Sequence, residues 1–137
     1  MGKKIQETIA ASGRILAATL LMCVAMGAEA LEVGHLELKS RLGDPLKASI
    51  ALDQLGTLTS EQIKVRSAAA EDYALMGIDS MGMDTFVRYE LFLDGNGKGM
   101  ILVTTERPLS EPFVSLLVEI VWPNGKVLRE FPVLLDP

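Results

Sequence analysis

The chain has 137 residues, 49% of them hydrophobic, with one cysteine, one histidine and a formal net charge of −5. That length is the size of one domain, and one Cys with one His leaves zinc, copper and haem without a ligand cluster. The acidic balance argues against nucleic acid, whose phosphates want a basic stripe, and against adsorption to anionic lipid.

The first thirty residues stand apart. Lys3, Lys4 and Arg14 give a basic start, "ILAATLLMCVAM" (15–26) is apolar and uncharged, and "GAEA" places Ala28 and Ala30 at the small-residue positions of a cleavage site. These are the parts of a secretory signal peptide, with cleavage before Leu31 and the product released to the periplasm. The run is shorter than the roughly 20 residues of a spanning helix. The competing readings are an uncleaved inner-membrane anchor and lipidation at Cys23, against which the bulky Met22 argues. Domain boundaries of 1–30 and 31–137 follow. The second part, 107 residues long by subtraction, carries 10 basic and 16 acidic residues and no cysteine, and a chain of that size buries a core without staples.

Residues 33–42 alternate, with Leu36, Leu38 and Ser40 against Glu37 and Lys39, and predict a half-buried strand. Its short length and its outward charges make it a candidate sheet edge for a partner, centred on Glu37, Leu38 and Lys39. "GDP" (43–45) ends it. Leu46, Ala48, Ile50 and Leu52 then share one face of a second strand. Residues 63–67 read as extended, and "AAEDYALMG" (69–77) as a short helix, with Glu71 and Asp72 favouring its start and Gly77 its stop. Val87, Tyr89, Leu91 and Leu93 oppose Arg88 and Glu90 on a fourth strand, which returns through "DGNGKG" (94–99) into the β-branched run 100–105. That turn mimics the start of a calcium loop, but Lys98 and a missing twelfth-position Glu break the match.

The last segment, "EPFVSLLVEIVWPNGKVLREFPVLLDP" (111–137), predicts a hairpin apolar on both faces and therefore covered on both. Pro123, Asn124 and Gly125 suit a three-residue loop with Gly125 left-handed. That register sets Trp122 against Lys126, Glu119 against Arg129 and Leu117 against Phe131, and makes Leu117 and Phe131 core partners. A two-residue Asn-Gly loop would instead oppose Glu119 to Glu130. The sum is an all-β fold, a two-sheet sandwich of about seven strands with one or two short helices.

No chemistry is visible. His35, the only histidine, lies in an alternating strand, no serine sits in a nucleophile elbow, and no Gly-rich loop joins a strand to a helix to hold phosphate. The carboxylates are scattered. Trp122 with nearby acids is the one feature that would suit a carbohydrate, so a peptidoglycan-directed binder or weak hydrolase stands as the alternative to a non-catalytic module without cofactor or metal.

The final hairpin resembles the end of the N-terminal periplasmic domain of the FimV family, which includes the TspA and HubP polar-landmark proteins. The family pattern runs roughly E-P-F, L-V-E, W-P-x-G, L-R-E-Y/F and V-L-L-D-P. Glu111, Pro112, Phe113, Leu117, Val118, Glu119, Trp122, Pro123, Gly125, Leu128, Arg129, Glu130, Phe131, Val133, Leu134, Leu135, Asp136 and Pro137 fall on it. Residues 36–52 and 63–78 are similar to earlier family segments more loosely, with Gly43-Asp44 in place of Asn-Gln and Ala68 in place of Ser. The resemblance implies a non-enzymatic interaction or scaffold module linked to type IV pilus assembly, twitching motility and cell-pole organisation, with envelope protein partners and no catalytic residue to carry over. In the family a linker, a peptidoglycan-binding LysM module, a membrane span and a cytoplasmic region follow. The sequence stops at Pro137, so the expectation is either a short stand-alone relative or a piece of a longer protein, and roles resting on those other parts are not implied.

Overall fold

The computed structural model describes residues 31–137. The signal-peptide reading, with Ala28 and Ala30, lies outside the described residues. Seven strands follow in order: β1 (Glu32–Leu38), β2 (Pro45–Asp53), β3 (Lys64–Ser67), β4 (Val87–Leu93), β5 (Gly99–Pro108), β6 (Phe113–Trp122) and β7 (Gly125–Leu134). Between β3 and β4 lie α1 (Ala70–Leu75) and the single turn α2 (Met83–Phe86). The strands form two antiparallel sheets, β1-β2-β5-β4 and β3-β6-β7, packed as the expected sandwich.

Period-2 patterning explains the larger sheet. Leu46, Ala48, Ile50 and Leu52 on β2 are all buried, as are Ile101 and Val103 on β5. They meet Val114, Leu116, Val118, Ile120, Phe131 and Val133 from the other sheet in one core. β1 is an edge strand, as its pattern implied, and carries a bulge between Val33 and Leu36. At the bulge Gly34 packs closely on β2, since a Cβ there would lie 3.2 Å from the Ala51 carbonyl oxygen. The "DGNGKG" turn is tied by its own aspartate: Asp94 Oδ1 accepts from the backbone N–H groups of Asn96 (2.8 Å) and Lys98 (3.1 Å).

The final hairpin corrects the sequence-based register. Trp122 pairs with Gly125, not Lys126, around a loop of Pro123 and Asn124 alone. Glu119 therefore faces Leu128 instead of Arg129, and Leu117 faces Glu130 instead of Phe131, whose partner is Leu116. Pro123 stands first in the loop, where its fixed φ fits and no N–H is needed, so the two-residue loop is Pro-Asn and not the Asn-Gly loop weighed from sequence. Gly125 is not among the positive-φ residues. Its hydrogen side chain is required instead by the indole of Trp122, because a Cβ would lie 2.9 Å from Trp122 Cζ2. A one-residue shift moves every side chain to the opposite face, and the expected Leu117–Phe131 core contact is replaced by two separate burials. Phe131 joins the main core. Leu117 turns to the outer face, where it packs with Ala68, Tyr73 and the partly buried Ile78.

Coverage of the hairpin also differs from expectation. β6 is central and buried on both faces, whereas β7 is an edge strand with one face exposed. α1 provides the outer cover for β6. Tyr73, 1% exposed, points its hydroxyl at the centre of that strand and accepts a 2.8 Å hydrogen bond from the Leu117 N–H. The neighbouring Leu117 carbonyl accepts from the Ala68 N–H at 2.9 Å. The side chain thus supplies a ladder partner where β3 ends at Ser67.

Candidate interaction surface

The hairpin residues singled out by sequence fall into two groups. The first is structural. Glu119, only 7% exposed, is paired with the Arg66 guanidinium and lies 3.3 Å from Lys126 Nζ. Arg66 stands directly opposite it on β3, and Lys126 sits two pairs further along on β7, on the same face. Arg129 points inward from the β7 edge, donates from Nη1 to the Val33 carbonyl of β1 at 2.6 Å, and places its guanidinium 5.9 Å from the Phe131 ring centre. It closes the open side between the two sheets. Trp122 is half-buried over Gly125. The Asp136 carbonyl accepts from the Leu42 N–H, and the Pro112 carbonyl from the Leu135 N–H.

The Arg66 hydrogen bond holds the Glu119 carboxyl below its ordinary range, with Lys126 acting in the same direction and burial opposing both. A carboxyl lowered in the folded state adds stability that is fully present above its unfolded value, about 4.3, and is lost as pH falls through the folded value. Urea melts of wild type and Glu119→Gln should therefore differ by a constant amount at neutral pH and converge below about pH 4. A difference that does not change with pH would contradict this role.

The second group is exposed and has no packing duty. Phe113 is 52% exposed and pairs across the strands with Leu134, which is 71% exposed. Beside them Ser115 pairs with Pro132, and the Ser115 hydroxyl lies 3.2 Å from Glu130 Oε1. α1 covers Leu117 on this face, but the sheet runs on past the helix. The uncovered end forms a groove of about 290 Å³ between the strands and the loop after α1, lined by Ile78, Asp79, Met81, Phe113, Ser115 and Glu130 among others. The loop is backbone-strained at Met81, a non-glycine residue at φ 51° between the left-handed Gly77 and Gly82. Glu111 and Pro137 are exposed near the two ends of the same hairpin.

The β1 edge is the other surface named from sequence. Glu37 and Lys39 are exposed and Leu38 is half-buried against the core. The Lys39 N–H bonds the Lys47 carbonyl at 2.8 Å. Antiparallel alternation then turns the N–H and C=O of Leu38 away from β2 and toward the open edge. Leu31 is half-buried against the same core. His35 is exposed in the bulge. Among the described residues no three or more His, Cys, Asp or Glu side chains gather as a metal site, and no helix is long and apolar enough to cross a membrane. On the inner side of the sandwich, burial pushes the Tyr89 phenol up to about 12, and the hydroxyl lies 3.3 Å from Ser67 Oγ.

The sequence model of the FimV N-terminal Ig-like domain matches residues 31–137. The chain belongs to this family. It is 37% identical over 124 residues to the motility hub protein FimV of Pseudomonas aeruginosa, in strains PAO1 and UCBPP-PA14 alike. The match takes in 90% of this chain and 13% of each relative, so the chain spans about an eighth of the curated relatives' length. No solved structure matches. Of the groove residues, Phe113 and Glu130 were named in the sequence for their place in the family pattern, whereas Asp79, Met81 and Ser115 were not, and the clustering was not foreseen. Ile78, Asp79 and Met81 reach Phe113 and Glu130 through the loop after α1, and no spacing in the chain announces that meeting.

Proposed function

We propose that this domain is a non-catalytic interaction module of the periplasm, serving type IV pilus assembly, twitching motility and cell-pole organisation by holding an envelope protein partner. Membership of the FimV N-terminal family and similarity to a motility hub protein support the process. The observation that carries the mode of action is the exposed Phe113–Leu134 pair at the groove beside α1. Two adjoining large apolar side chains held open to water at the mouth of a groove suit a binding surface. Trp122, the residue on which carbohydrate stacking would depend, already lies over Gly125.

The test is a pull-down from a periplasmic extract of a pilus-bearing strain, using the full chain as bait beside Phe113→Ser. Recovery of a pilus-assembly or other motility protein by wild type, reduced with the variant, is the expected result. Turnover of a glycan or peptide by the purified protein, with no motility protein recovered, would overturn the reading.

A further inference from the structure

The adaptor reading leaves the chemistry of the partner open, and the groove narrows it. Its apolar elements are Ile78, Met81 and Phe113, with Leu134 across from Phe113. Its charged lining is of one sign: Asp79 and Glu130, with no lysine, arginine or histidine. Neither carboxylate has a salt-bridge partner among the described residues, where the ion pairs are Arg66–Glu119, Arg88–Glu106 and Lys126–Glu119. Each is nevertheless held in place. Asp79 Oδ1 accepts from the Met81 N–H at 3.0 Å, and Glu130 Oε1 lies 3.2 Å from the Ser115 hydroxyl. Two oriented carboxylates without cations flank an apolar cleft.

Resting on that reading, we infer that the groove receives a basic-apolar segment of a partner protein, with one apolar side chain entering between Phe113 and Met81 and an adjoining lysine or arginine meeting Asp79 and Glu130. Strand pairing along β7 is interrupted beside the groove. The Leu135 N–H bonds the Pro112 carbonyl, so antiparallel alternation places the backbone nitrogen of Pro132 on the outer edge, where it has no hydrogen to donate. Recognition therefore falls to side chains, and opposite charge across the contact supplies specificity and a fast, salt-sensitive encounter.

Selection of random twelve-residue peptides displayed on phage against the immobilised full chain tests this. The selected peptides should carry an aliphatic or aromatic residue flanked by Lys or Arg, and should shift the backbone amide signals of Phe113, Ser115 and Met81 on titration. Asp79→Asn and Glu130→Gln keep the accepting oxygen and remove only the charge. Each should leave the melting temperature in place and weaken the selected peptide up to about fivefold, the scale of a partly exposed ion pair. Raising the salt should shrink that difference. Acidic or uncharged peptides, equal binding by the charge variants, or no selected peptide at all would each overturn the inference. A motility protein still recovered in the pull-down would then leave the adaptor reading standing with a different surface.

Discussion

Replacing Phe131 by alanine should destabilise the domain by about 3–5 kcal/mol, the usual cost of deleting a buried aromatic side chain. Phe131 is 5% exposed and belongs to the main core between the two sheets. The loss is both transfer energy and cavity, because strands fixed at their ladder spacing do not collapse into the space. The ring also lies beneath the Arg129 guanidinium, which in turn ties β7 to β1 at Val33. Since a domain of this size is stable by only about 5–15 kcal/mol, the variant should melt more than about 10 °C below wild type. Urea titration gives the free energy directly, and a change below about 1 kcal/mol would show that Phe131 does not sit inside the sandwich.

Tyr73→Phe should cost about 1–3 kcal/mol through the removal of one oxygen. The hydroxyl accepts the Leu117 N–H at the centre of β6, where β3 has already ended. Leu117 is fully buried, so the freed N–H has no water to turn to. An unsatisfied buried donor loses its desolvation energy in full, which is why this change should exceed the net worth of an ordinary hydrogen bond. Amide exchange adds a local reading. The Leu117 amide should lose protection beyond the global loss, while Val118 and Ile120 follow the global stability. An unchanged Leu117 amide and a stability within about 0.5 kcal/mol of wild type would exclude the hydroxyl as a ladder substitute.

The strands were legible because their signals are local. Leu46, Ala48, Ile50 and Leu52 alternate in the sequence and share the buried face of β2. Val87, Tyr89, Leu91 and Leu93 do the same on β4, with Arg88 and Glu90 turned out. The hairpin register was not legible, since Pro123-Asn124-Gly125 permits more than one loop and the apolar residues of β6 suit either face. What decides it is not local. The Trp122 indole needs the bare Gly125 backbone, and the charge opposite Glu119 comes from Arg66, 53 residues earlier. Pairing Glu119 with Arg129 was reasonable within the hairpin and failed because a third strand lies alongside. For the same reason Leu117 was assigned to the core of the sandwich, although the helix that buries it lies in a different part of the chain. Of the surface, the β1 edge could be read from its charges, whereas the groove could not. It exists because α1 covers Leu117 and stops short of Phe113.

A photo-crosslinking residue placed at Phe113 in living cells, beside the same residue placed at Glu37 on the β1 edge, tests most directly whether the domain works by holding a partner at the hairpin groove. The account predicts that light yields an adduct from position 113 to an envelope protein of the motility machinery, that Glu130→Gln diminishes it, and that position 37 gives little or none. An adduct from position 37 with none from position 113 would move the function to the sheet edge, and the absence of adducts at both would contradict the partner-holding account itself.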